Sequence, residues 1–363
     1  MKEKGVITNI EQLTPEWLTN IFKKKGYLSN GKVTKIIKRN SQETFTSYVH
    51  FLELNFSNDA QTEGASPEIV VKIPKSVDIA KLVGKREVKF YNTMKDFNEE
   101  LQIPICYDAT FSEETSQSHI ILDDLSKTHI ELSNWPLPLS KRHCELAIEG
   151  LAKFHAFWWD RENLEEIISF MNKKIIFSMF EAHEQTLNRI LKFLGDRMSD
   201  TRRNLYKKVF SLYPQLIWRR ISKNKNRTLQ HGDAHFWNFF YPKDIENECN
   251  EVYLIDWQSW GPGFGTGDLT YMIGLHWFPE RRCEMEKELT KRYYNALIKH
   301  GVKNYSWDDC WYDYRLFAIG NLYIPIIQCN MKLPPFIWWA HLERACLTFE
   351  DLNCMELLEK KNK

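Results

Sequence analysis

The chain has 363 residues, long enough for two lobes that each bury a core. Lys plus Arg number 49 against 48 Asp plus Glu, a net charge of +1, so nothing calls for a nucleic-acid partner. Eight cysteines stand singly with no CxxC pair, which excludes a zinc ribbon and a compact disulfide framework. The start, MKEKGVITNIEQLTPEW, has no apolar signal stretch, and no run approaches the roughly 20 apolar residues that cross a bilayer. A cytoplasmic protein with no membrane partner is expected.

Thr14-Pro15-Glu16 opens a helix, with a capping hydroxyl and proline at the first helical position, and Gly26 closes it. Strands are predicted over Lys32–Arg39, Ser47–Phe56 and Glu68–Pro74, where β-branched and aromatic residues concentrate. Ser57–Pro67 is polar and reads as a loop. A helix is predicted over Val77–Phe97, then a strand over His119–Leu122 that ends at Asp123-Asp124. Beyond the join at 123–128 the pattern becomes helical: Ser140–Trp159, Lys173–Arg197, Arg202–Ser222, Arg281–His300, Asp308–Gln328 and Pro335–Glu359. A short strand pair lies within 237–256. Strands first and helices after predict an α+β architecture of two lobes, 1–122 and 129–363.

The sharpest chemical signal is Gln230-His-Gly-Asp-Ala-His-Phe-Trp-Asn238, followed by Val252-Tyr-Leu-Ile-Asp-Trp257. Phosphoryl transfer needs a carboxylate to orient the attacking hydroxyl and oxygen ligands to hold Mg²⁺ on the phosphates. Asp233 and Asn238 stand five apart, the spacing of Asp and Asn in a kinase catalytic loop, and Asp256 closes an apolar strand. If Tyr241 pairs with Val252, Asn238 falls opposite Ile255 and beside Asp256, giving two oxygen ligands of the kind Mg²⁺ prefers. Glu87 shares a helical face with Val83, Phe90, Tyr91 and Met94, so its carboxylate needs a partner such as Lys72.

These motifs, with TPEWL, VVKIP, EVKFY, IILDDLS, LAKFHAFWW, IDWQ and GDL along nearly the whole chain, resemble the aminoglycoside phosphotransferase and choline kinase superfamily. The nearer resemblance is to its ecdysteroid-kinase-like branch. It implies a protein-kinase-like fold, with a nucleotide-binding N-lobe at 1–122, a hinge at 123–128 and a catalytic and acceptor-binding C-lobe at 129–363. It implies ATP between the lobes, Lys72 on the phosphates, Glu87 holding Lys72, and Asp123, Asp124 and Leu125 meeting adenine through their backbone. Asp233 becomes the catalytic base, Asn238 and Asp256 the Mg²⁺ ligands, and Asp268 a brace for the catalytic loop. The implied activity is ATP-dependent phosphorylation of a small hydroxylated acceptor.

One departure stands out: the expected phosphate loop, Asn40–Ser47, contains no glycine, so hydroxyls of Ser41, Thr44, Thr46 or Ser47 are the alternative contacts. Other readings compete. His231, Asp233 and His235 together offer a hydrolase metal set. A regulatory pseudokinase fits the missing glycines, and a protein kinase is disfavoured by HGD in place of HRD. His155 reads as a satisfied core histidine. The glycines at 261, 263, 265 and 267 read equally as a mobile substrate loop or a tight connection.

Overall fold

The five long strands of the first half form one antiparallel sheet in this computed structural model, which describes residues 5–76, 78–97, 100–132, 138–167, 172–247 and 251–360. Labelled in chain order, they are β1 (Val33–Glu43), β2 (Ser47–Phe56), β3 (Glu68–Pro74), β4 (Cys106–Phe111) and β5 (Ser118–Asp123). Their spatial order is β1-β2-β3-β5-β4. Helix α1 (Pro15–Lys25) starts where expected, with the Thr14 hydroxyl accepting from the Trp17 N–H, and it stops at Gly26 with φ 82°. The two-residue period of β3 sends Ile69, Val71 and Ile73 into the core that Leu18 and Phe22 of α1 complete. Lys72 therefore points to the opposite face, where helix α2 (Asp78–Met94) lies.

The chain packs as two compact units, Met1–Leu132 with Asn238–Trp260, and Ser133–Trp237 with Gly261–Lys363. The return of 238–260 to the first unit is not visible in the sequence pattern. It is built from strand pairing and aromatic burial. Phe239–Pro242 pairs on one side with Tyr253–Leu254 and on the other with His129–Glu131. Trp257 stacks on Phe90 of α2 with centroids 4.0 Å apart, and Trp260 meets the same ring edge-on at 5.4 Å. The Trp260 Nε1–H donates to the Arg86 carbonyl at 2.8 Å, so its polar atom is satisfied inside the core.

The second unit is helical around α3 (Lys141–Trp158), which the Ser140 hydroxyl caps as anticipated. A buried Arg220–Asp313 pair, 2.6 and 2.8 Å across its two contacts, crosses that unit. Among the described residues no helix is long and apolar enough to cross a membrane, and the seven cysteines are free.

Several expectations change. Asn40–Glu43 are strand, paired with Tyr48–Phe51, so only Thr44, Phe45 and Thr46 turn. Thr44 closes that turn by accepting from the Ser47 N–H, which ties up its hydroxyl without glycine. Strand β4 was not expected because Asp108 is a poor strand residue; its carboxylate bonds the His119 ring at 2.9 Å and lies 3.5 Å from the Lys25 ammonium. The helix expected over 308–328 is two, Trp307–Gly320 and Ile324–Asn330, because Pro325 cannot donate an N–H across the join. The helix expected over 335–359 breaks at Asn353, whose φ is 50°. Val77, the expected start of α2, lies outside the described residues.

Candidate active site

In the first unit, Lys72 is held between two carboxylates. Its Nζ lies 2.8 Å from Glu87 and 2.6 Å from Asp256 Oδ1. The Lys72 and Glu87 side chains are almost fully enclosed, at 12% and 3% exposure, whereas Asp256 is 37% exposed. Burial alone would depress the Lys72 pKa, but Asp256 and Glu87 hold it above the ordinary lysine value. Burial pushes Glu87 above the usual carboxyl range, and the Lys72 charge opposes that rise. Asp256 itself has φ 63° and ψ 59°, a left-handed conformation that Asp tolerates better than most residues.

The pairing of Phe239 with Leu254 and Phe240 with Tyr253 is the register expected for this hairpin. It sets Asn238 opposite Ile255, whose N–H donates to the Asn238 carbonyl at 3.0 Å. Asn238 is buried and Asp256 follows directly, so two hard oxygen donors occupy one end of the hairpin, which suits Mg²⁺.

The three residues from the end of β5, Asp123 to Leu125, are not equivalent. The Asp123 N–H donates to the Ile105 carbonyl and the Asp124 N–H to that of Glu68. The Asp124 carboxylate caps the Ser126 N–H and takes a guanidinium N–H from Arg39, which also bonds Glu68. Among the described residues nothing accepts from the Leu125 N–H, the one amide of the three left open. Arg39 was not singled out from sequence; on an exposed strand it carries no local signal.

In the second unit, Thr228–Gln230 pairs with Gly261–Gly263 and delivers the loop that carries Asp233. Asp268 accepts from the His231 N–H at 2.6 Å and from the Gly232 N–H at 2.9 Å, fixing the turn that needs Gly232 at φ 79°. His155 is a core histidine, as read: its ring bonds the Tyr293 hydroxyl at 2.8 Å and Asp268 at 3.2 Å. Tyr271, on a π-helical turn, donates its hydroxyl to Asp233 Oδ1 at 2.7 Å. Nothing in the local sequence flags Tyr271, because its partner is 38 residues away.

The glycine run is a tight connection. A Cβ on Gly265 would lie 2.0 Å from the Tyr293 hydroxyl, and one on Gly263 would lie 1.7 Å from the Gln230 side chain. His235 Nε2 lies 3.6 Å from Asp233 Oδ2, but among the described residues no three such side chains are placed together to hold a metal ion.

Comparison with solved structures shows a shared fold at low identity. A protein of Ralstonia eutropha assigned to the aminoglycoside phosphotransferases superposes with a TM-score of 0.58 at 12% identity, covering 94% of this chain and 98% of its own. The GDP complex of aminoglycoside 2'-phosphotransferase-IIIa gives 0.54 at 12% identity over 94% and 99%. The fold is the α+β, two-lobed, protein-kinase-like one. A comparison with curated proteins finds no match. The ecdysteroid kinase-like family model, in contrast, matches residues 41–304, more than half of the sequence, and the chain belongs to the ecdysteroid kinase-like family.

Proposed function

We propose that the chain transfers the γ-phosphoryl group of ATP to a hydroxyl of a small, partly apolar molecule. The observation that supports this most is Lys72 gripped by Glu87 and Asp256. A buried ammonium in that setting is permanently charged and fixed, which suits it to phosphate oxygens. Glu87 positions Lys72, and the open Leu125 N–H, in the run Asp123 to Leu125, offers the adenine its backbone donor. Asn238 and Asp256 would hold Mg²⁺, which when bound neutralises charge on the phosphates.

Asp233 acts on the acceptor. Its carboxylate, held by the Tyr271 hydroxyl, orients the acceptor hydroxyl and takes its proton. The acceptor oxygen bonds to the γ-phosphorus, the bond to the bridging oxygen breaks, and nucleoside diphosphate leaves. The nucleotide-binding lobe of this reading, 1–122 with its hinge at 123–128, takes in 238–260 as well.

The test is an ATP-consumption screen of purified protein over hydroxylated compounds, including sterols, amino alcohols and aminoglycosides. Mg²⁺-dependent release of ADP with an apolar alcohol is expected. A protein that binds no Mg²⁺–ATP would sink the reading, and turnover confined to polycationic aminoglycosides would overturn the acceptor class.

A further inference from the structure

The second unit contains a cavity of about 190 Å³ walled by Phe236, Trp237, Trp277 and Phe278, with Arg281 and Arg344 in its lining. Phe236 and Trp277 stack with centroids 5.3 Å apart and are buried, while Trp237 and Phe278 stay 44% and 53% exposed. Of the aromatic residues that crowd the second half of the sequence, Trp277 reaches this cavity, whereas Phe264 and Trp338 are buried elsewhere in packing. The cavity adjoins the base. Phe236 and Trp237 follow Asp233 by three and four residues, and His276, also in the lining, is 4.9 Å from the ring of Tyr271.

The two arginines set the charge of the cavity. Arg344 donates to the Leu275 carbonyl at 3.0 Å and lies 5.2 Å from the Phe278 ring. Arg281 donates to the Leu139 carbonyl. Neither has a carboxylate partner among the described residues, unlike Arg282, which pairs with Glu286 and Asp351. Burial also pulls the Arg344 pKa below its ordinary value, with no acid to restore it. A guanidinium carries five N–H donors, so each retains several for a ligand. Partly buried charge without a counter-ion is costly, and an anion entering the cavity would relieve that cost.

We infer that this cavity receives the acceptor's apolar ring together with an organic anion, so that the preferred acceptors are hydroxylated aryl or alicyclic acids. The inference rests on the phosphotransferase reading and narrows its substrate class. The volume agrees, because whole drug-sized ligands fill about 300–1,000 Å³. A cavity of about 190 Å³ takes one ring and its substituent, not a polycyclic body. A polycationic acceptor would meet two unpaired positive charges here.

The experiment compares three probes of one shape by calorimetry without nucleotide: meta-(hydroxymethyl)benzoate, benzyl alcohol and meta-(aminomethyl)benzyl alcohol. One charge-assisted hydrogen bond to Arg predicts that the benzoate binds roughly tenfold or more tighter than benzyl alcohol. Arg344→Met with Arg281→Met should erase that ratio, and Arg344→Lys should keep most of it. Equal binding of benzoate and benzyl alcohol, preference for the ammonium probe, or no benzoate binding at millimolar concentration would each overturn the inference. Mg²⁺–ATP binding is measured separately. Its loss would strike the kinase reading, while the probe ratio still decides the charge of the cavity.

Discussion

Lys72 sits between carboxylates of unequal burial, and that asymmetry decides what substitutions at this cluster do. In Lys72→Met the exposed Asp256 can hydrate but Glu87 cannot, so Glu87 bears the loss. Breaking a buried pair costs about 3–5 kcal/mol, and Glu87→Gln in the same chain should return much of it. The pH dependence follows. Without Lys72 the folded-state pKa of Glu87 rises further above its unfolded value. Stability is then retained at acid pH and lost as pH rises through that raised value. Urea unfolding at pH 5 and pH 8 should show a smaller gap from wild type at pH 5; a pH-independent gap would mean Glu87 is not the residue left unpaired. Asp233→Asn keeps size but removes basicity, so turnover should fall by about 10² to 10⁴, with Mg²⁺–ATP affinity near wild type. Unchanged turnover would remove Asp233 from the mechanism. The Lys72–Glu87 pairing was legible because a lone charge on each apolar face demands a partner. Tyr271 and Arg39 were not, since their partners are distant in sequence and ordinary in type.

Elements were legible where period and caps agreed. Thr14, Ser140 and the β-branched run of β3 each announced their element, and hairpin register followed from counting across 238–255. Three-residue strands such as Thr228–Gln230 carry too little pattern to announce anything. The run of glycines was ambiguous because sequence cannot say what a Cβ would strike. Gly265→Ala forces a methyl onto the Tyr293 hydroxyl and His155, both buried. Overpacking of that kind costs about 1–3 kcal/mol, visible in denaturant melts; a neutral result would show that the segment is loose. The turn carrying Tyr271 has its own acid sensitivity. His341, on the helix Pro335–Asp351, has its ring 4.8 Å from that of His276; burial holds His341 down to about 4, from an ordinary 6.5, and drives His276 down as well. A depressed folded pKa gives stability that is present above pH 6.5 and lost as pH falls. His341 alone should remove about 2 kcal/mol between pH 7 and pH 5. His341→Gln should flatten that part of the curve, and an unaltered pH profile would contradict it.

For the molecule as a whole, the α+β order was legible from strands preceding helices and the family from its resemblance in motifs along the chain; the solved structures bear out the first and the family model the second. The membership of 238–260 was not, because strand pairing and tryptophan burial over long separations leave no local pattern. Global stability gives a direct readout of the nucleotide site. A ligand that binds only the folded state raises Tm by mass action, so Mg²⁺–ATP should stabilise the protein. Asp256→Ala should abolish the Mg²⁺-dependent part of the shift. Retention of the full shift in that variant would mean that Asp256 is not a metal ligand.

The first unit is also completed out of order in time. Translation releases Phe90 and Arg86 long before Trp257 and Trp260, which cover them. At about 5–20 residues per second, the stretch between Leu132 and Asn238 delays that cover by roughly 5–20 seconds. During this interval the nascent sheet and α2 carry an uncovered aromatic ring, and Lys72 has Glu87 but not Asp256. Residues 1–132 made alone are expected to bind a hydrophobic dye, and chains extended past Trp260 to bind less; equal dye binding would show that the later tryptophans cover nothing. The catalytic architecture thus sets a schedule for synthesis, with the lysine that would hold phosphate the last residue of its cluster to be fully partnered.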